Sequence, residues 1–173
     1  MSRLKLILPS LEYKDQIMAY KKEFIEAGDS MDGTAGLANY DTFEKWYSAI
    51  LDNLNEDTVR EGLVPASTYL ALIGDSDRLV GMIDIRHRLN DYLLKCGGHI
   101  GYSVRKSERK KGFATEMLNL ALKECTKLKI KKVLVTCDKN NIASVKTIIN
   151  NGGVFENLIE CSDGSTNRYW ITL

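Results

Sequence analysis

Arg109-Lys110-Lys111-Gly112-Phe113-Ala114-Thr115-Glu116-Met117-Leu118 joins two different sequence patterns, and its reading decides the fold. Downstream, Ala114, Met117, Leu118, Ala121, Leu122 and Cys125 recur at i, i+3, i+4, i+7 with charges opposite, so a helix is expected over 112–127. Upstream, 99–104 reads as a strand entered through Gly97-Gly98. A helix start leaves backbone N–H groups unpaired and carries partial positive charge. Gly112 and the small Ala114 let a bulky anion reach those groups, and Arg105, Lys106, Arg109, Lys110 and Lys111 crowd positive charge around them. That combination suits a pyrophosphate. On these residues alone, a solvated basic loop ahead of a helix that begins with glycine fits equally well. Neither G-x-G-x-x-G nor G-x-x-x-x-G-K-[ST] occurs, and the preceding strand is not the first of its sheet, which disfavours dinucleotide-binding and P-loop readings.

Outward from the turn, 132–137 is a β-branched-rich strand of the kind buried on both faces. Strand, helix and strand from 99 to 137 then form a right-handed parallel crossover. A short helix over 142–150 turns Val145, Ile148 and Ile149 inward and stops at Gly152-Gly153. Segments 154–159 and 168–173 close the chain as an antiparallel pair. Towards the N-terminus, 4–8 is a strand ended by Pro9, and Ser10 is expected to cap a helix carrying Ile17, Tyr20 and Phe24 as far as Gly28. From Gly28 to Tyr40 small residues without periodicity predict a mobile loop. Asp41-Thr42-Phe43-Glu44 resembles a capping box, opening a helix with Phe43, Tyr47, Ile50 and Leu54 inward. Strands 68–73 and 79–88 flank the turn 74–78. The expected fold is α/β in the mixed sense: a central sheet of six to seven strands, mostly antiparallel with one parallel crossover, flanked by about four helices.

The 173 residues suit a single domain spanning 1–173. With 44% hydrophobic and 27% charged residues the composition is that of a globular protein. A formal net charge of +1 argues against a general trap for nucleic acid. No run is long enough to cross a bilayer, and Met1 to Lys5 do not open a signal peptide, so no membrane partner and a reducing cytoplasm are expected. Cys96, Cys125, Cys137 and Cys161 show no C-x-x-C spacing, so no metal site is expected; Cys125 and Cys137 read as small core residues.

The stretch 79–155 resembles the GNAT superfamily of N-acetyltransferases at three ordered places. Gly98-His99-Ile100-Gly101-Tyr102-Ser103-Val104 is similar to the family's fourth strand, and Arg109, Gly112 and Ala114 match its R-x-x-G-x-A signature. Asn141-Ile142-Ala143-Ser144, ahead of Asn151-Gly152-Gly153, resembles its second motif, and Arg168-Tyr169-Trp170-Ile171 its final strand.

The resemblance implies acetyl-coenzyme A as co-substrate, lying where the fourth and fifth strands splay. Ser103 and Val104 would offer backbone groups to the pantetheine arm. The amides of Lys110, Lys111, Gly112, Phe113 and Ala114 would hold the pyrophosphate, with Arg109 and Thr115 alongside and Asn141 and Ser144 across the cleft. The implied reaction is acetyl transfer to a primary amine of a small molecule or protein; the rival reading is a coenzyme-binding module of the same fold with little turnover. His99 stands where many relatives carry a glutamate that draws off the amine proton, although a histidine merely packed on its strand fits as well. Relatives place a tyrosine seven residues after the second-motif asparagine, and here that position is Ile148, which shifts thiolate protonation to water, Tyr102 or Tyr169. His87 either lines the acceptor pocket or faces water. The C-terminal strands offer an edge for a homodimer.

Overall fold

A computed structural model describes residues 2–173. In chain order it contains β1 (Leu4–Ile7), α1 (Lys14–Ala27), α2 (Phe43–Asp52), β2 (Ala66–Ile73), β3 (Arg78–Arg86) and β4 (Ile100–Val104), then α3 (Phe113–Lys127), β5 (Lys132–Asp138), α4 (Ile142–Asn150), β6 (Val154–Cys161) and β7 (Gly164–Thr172). The strands form one seven-stranded sheet in the order β1-β2-β3-β4-β5-β7-β6. Every neighbouring pair is antiparallel except β4 and β5. The parallel pair is the one the strand–helix–strand pattern predicts.

Each face of the sheet has its own core. The apolar stripe of α3, with Met117, Leu118, Ala121 and Cys125 fully buried, packs with Ile148 of α4 against Ile83, Ile85, Val133 and Val135. On the other face, Ile17, Tyr20 and Phe24 of α1 and Phe43 and Trp46 of α2 cover Leu70, Leu72 and Met82. Burying each such side chain contributes roughly 1.5–3 kcal/mol, so both layers are firmly attached. β3 feeds both cores by strand alternation: Ile83 and Ile85 meet α3, while Met82, Asp84 and Arg86 project to the α1/α2 side.

Three sequence expectations need correction, the first being Ile149, expected inward on α4 but exposed. Ser10 makes no side-chain cap; it precedes a short 3₁₀ turn, Leu11–Tyr13, which leads into α1. The 28–40 segment is no loose loop. Trp46 Nε1 donates to the Thr34 carbonyl at 2.8 Å, Ser103 Oγ donates to the Asp32 carbonyl at 2.6 Å, and Leu37 is buried. Gly33 lies so close to β4 that a methyl group on it would stand 2.3 Å from the Gly101 carbonyl oxygen. The missed signal was Trp46, a large buried donor that needs a backbone acceptor. α2 starts where expected, but its cap is Thr42, one residue after the first position of the expected box, accepting from Lys45 N–H at 3.3 Å.

Candidate active site

β4 and β5 pair at a single position, Ile100 with Val135, and then diverge. Which backbone groups face the opening follows from the register on the other side of β4. Arg86 N–H donates to the His99 carbonyl and Arg105 N–H to the Val80 carbonyl, both at 2.8 Å. Odd-numbered β4 residues therefore bond to β3, and Tyr102 and Val104 turn their backbone groups towards the gap. Ser103, expected to serve the pantetheine arm through its backbone, instead pairs with Met82 of β3, and its hydroxyl also accepts from Tyr20 Oη at 3.0 Å.

The gap widens into a groove of about 260 Å³, lined on one wall by Tyr102, Ser103 and Val104 and on the other by Asn141, Ser144 and Thr147. Ala114 at the head of α3 closes one end. Gly112 stands at the α3 N-cap with φ 83°, a left-handed conformation glycine adopts without strain, and no side chain caps the helix. Among the described residues no acceptor takes the N–H groups of Gly112, Phe113, Ala114 or Thr115. Lys110, at φ 62°, bends the preceding turn. Bare amides at a helix head, opening on a groove between splayed strands, fit the diphosphate and pantetheine arm of coenzyme A.

Arg109 is placed differently from its expected position beside the phosphates. Its Nε donates to the Val104 carbonyl at 3.0 Å, its Nη2 pairs with Asp29 at 2.9 Å, and its guanidinium lies 5.7 Å from the Phe24 ring. It lines the groove while tying the end of β4 to the α1–α2 loop. Lys111 pairs with the buried Glu108 at 3.1 Å. Arg3 was not expected near this turn; its Nη1 donates to the Lys111 carbonyl at 3.1 Å and its Nε pairs with Glu116 at 3.0 Å.

Tyr102 reaches across the groove, its Oη 2.7 Å from Ser144 Oγ. Burial holds the phenol protonated, pushing its pKa up to about 12. Asn141 Oδ1 accepts from Ser144 N–H at 3.1 Å, so it caps α4. Ile148 is fully buried in the α3-side core rather than facing the groove. Thr147, which the sequence reading passed over, lies on the groove side; its position three residues after Ser144 on α4 was the available signal.

His99 Nδ1 accepts from the Leu134 N–H at 2.9 Å. The ring proton therefore sits on Nε2, and burial together with the nearby Arg86 pulls the pKa down to about 4. The side chain is a neutral donor at pH 7, a geometry that does not support the expected base. His87 is half-buried, with Nε2 2.8 Å from Ser67 Oγ, and burial lowers its pKa. Tyr169 is buried in the α3-side core. Asp32 lies exposed on the groove wall beside Tyr102, with Ser30 Oγ donating to its carboxylate at 3.0 Å.

Cys96 and Cys161 form a disulfide between the β3–β4 connection and the β6–β7 hairpin, a pairing the spacing did not reveal. Cys125 is buried, which pushes its thiol up to about 12, and Cys137 is half-buried. Among the described residues no three His, Cys, Asp or Glu side chains are grouped to hold a metal, and no helix is long and apolar enough to cross a membrane.

The acetyltransferase (GNAT) domain model matches residues 5–154, and the chain belongs to that family of acyltransferases. No curated protein matches in sequence. Among solved structures, the chain is similar to the ribosomal L7/L12 alpha-N-protein acetyltransferase RimL in complex with coenzyme A, at 14% identity and TM-score 0.72, covering 100% of this chain and 96% of that one. It is similar to the Microcin C7 self immunity acetyltransferase MccE, in complex with acetyl-CoA and AMP, at 22% identity and TM-score 0.67, covering 100% and 94%. A chimera of the Vibrio cholerae spermidine N-acetyltransferase SpeG and hSSAT matches at 16% identity and TM-score 0.66, covering 99% and 96%.

Proposed function

We propose that this protein transfers the acetyl group of acetyl-coenzyme A to a primary amine. The observation that carries the reading is the uncapped head of α3 opening onto the groove where β4 and β5 part. The amides of Lys110 to Thr115 hold the diphosphate, while the Tyr102 backbone meets the pantetheine arm as an added strand would. Asn141 and Ser144 bound the arm from the far wall. Coenzyme-bound neighbours and amine-acetylating neighbours support the same reading.

An ammonium group has a pKa of about 10, so the acceptor needs a base before it can attack. Asp32, exposed on the groove wall, takes that proton directly or through water, and His99 stays a neutral positioning group. The Val104 N–H, aimed at the gap, stabilises the oxyanion that develops on the acetyl carbon. Tyr102, a neutral phenol already pointing across the groove, gives its proton to the departing thiolate and regains one, through water, from the attacking nitrogen, which must lose its second proton as the amide forms. Tyr102 thus fills from β4 a role that Ile148 cannot fill from α4. The chain acts as a single domain, since the groove is walled by β4 of the one sheet and by α4, whose Ile148 packs on that sheet.

The second reading is a coenzyme-binding module with little turnover, and Ile148 at the place of the family's acid favours it. Thiol release from acetyl-coenzyme A, followed across an amine panel, separates the two: steady release with any amine supports transfer, and coenzyme binding without release supports the module. A cytoplasmic location belongs to the same proposal, and there the Cys96–Cys161 pair would be held as two thiols. A homodimer through the β6 edge, where Val154 and Phe155 are exposed, is tested by light scattering in solution.

A further inference from the structure

A second cavity, of about 690 Å³, lies on the α1/α2 side of the sheet. Its floor is a rigid polar cluster. Asp84 is buried, with one carboxylate oxygen accepting from Thr68 Oγ1 at 2.8 Å and the other paired with Arg86 Nε at 3.1 Å. Both oxygens are thereby engaged. The two Nη groups of Arg86 have no protein acceptor among the described residues, and they lie 3.4 Å from where a methyl group on Gly101 would stand. One edge of the fork is fixed to Asp84, and the other presents free donors beside β4, one residue from Tyr102.

Arg60 lines the same cavity. Its guanidinium stands 5.9 Å from the Tyr40 ring and has no carboxylate partner among the described residues. Asp84 balances one arginine, so the charged side chains of the lining leave one uncompensated positive charge. A plain cationic amine is repelled by such a cavity. An amine whose own molecule carries an anion is drawn in, because guanidinium forks match carboxylate and phosphate oxygens in pairs.

We propose that the acceptor bears a carboxylate or phosphate near its amine, with Arg86 and Arg60 holding the anion and the amine directed towards Gly101 and Tyr102. This rests on the acetyltransferase reading and narrows its substrate class. Arg86 and Arg60 are specificity residues for binding, not for the chemical step.

The test measures binding of O-phosphoethanolamine, β-alanine, ethanolamine and spermidine to the protein–coenzyme A complex, in wild type, Arg60→Ala and Arg86→Gln. The two anionic amines separate phosphate from carboxylate recognition. At least one should bind about tenfold or more tightly than ethanolamine, and Arg60→Ala should erase most of that preference. Arg60 is exposed and unpaired, so its variant stays folded even if Arg86→Gln does not. Equal or tighter binding of spermidine, or a preference untouched by Arg60→Ala, overturns the inference. The two readings fail separately: thiol release to spermidine alone keeps acetyl transfer and removes the anion site, whereas anion-dependent binding without thiol release does the reverse.

Discussion

The hydroxyls of Tyr102 and Ser144 meet at 2.7 Å across the groove, joining β4 to the first turn of α4 where the parallel strands part. In the proposed reaction this phenol supplies the acid that α4 cannot, because Ile148 faces the core. Tyr102→Phe removes only this hydroxyl. The variant should keep its affinity for acetyl-coenzyme A and lose about tenfold or more in kcat. An unchanged kcat in steady-state assays would assign thiolate protonation to water.

Ile148→Tyr should not restore the missing acid. The side chain is fully buried, and a methyl group on Gly153 would stand only 2.4 Å from it, so the site has no room. Overpacking of this kind costs about 1–3 kcal/mol. Chemical denaturation should register that loss, and kcat should not rise. A rise in kcat would place α4 in a different rotation from the one described.

His99 links stability to pH. Its folded-state pKa of about 4 lies below the ordinary histidine value of about 6.5. The group is neutral in the fold and protonates more readily when unfolded, so its contribution is complete above about pH 6.5 and is lost as pH falls towards 4. The loss amounts to roughly 3 kcal/mol on linkage grounds. His99→Asn, whose carbonyl can still accept from Leu134 N–H, should flatten urea midpoints between pH 6.5 and 4. It should also leave acetyl transfer within several-fold of wild type. Loss of the alkaline half of the rate profile in this variant would restore His99 as the base.

Gly33→Ala should cripple the protein without touching a reactive group. The new methyl would meet the Gly101 carbonyl at 2.3 Å on a residue whose φ is +75°. The 28–40 segment would have to lift from β4, carrying Asp32 away from the groove. A destabilisation of about 1–3 kcal/mol with a larger fall in kcat is expected. Full activity would mean that Asp32 does not depend on this contact.

Much of this architecture was legible because α3 is strongly periodic and β5 carries the apolar run Val133-Leu134-Val135. Local pattern identified the helix head at Gly112 and the asparagine cap at Asn141, both set by residues within one turn. The remainder depends on pairing between distant segments. The register of β4 against β3 turns the backbone groups of Ser103 away from the gap, and no single-strand pattern encodes that parity. The tautomer of His99 is set by Leu134, and the direction of Arg109 by Val104 and Asp29. The charged alternation Asp84, Arg86 in an otherwise apolar strand was the readable sign of the second cavity. The Cys96–Cys161 bridge had no sign in spacing at all. Closing a loop over its separation of 65 residues, it should contribute at most about 4 kcal/mol, a loss that thermal unfolding with and without reductant would register.

The proposed activity depends on the head of α3 receiving the diphosphate of coenzyme A. Calorimetric titration of acetyl-coenzyme A into wild type and Gly112→Asp tests it most directly. The substitution sets negative charge and bulk against the bare amides, with only Arg3 nearby, 3.4 Å from the new Cβ. Wild type should bind, and the variant should show affinity lowered by about a hundredfold or more with its fold intact by circular dichroism. Wild-type affinity in Gly112→Asp would contradict the account.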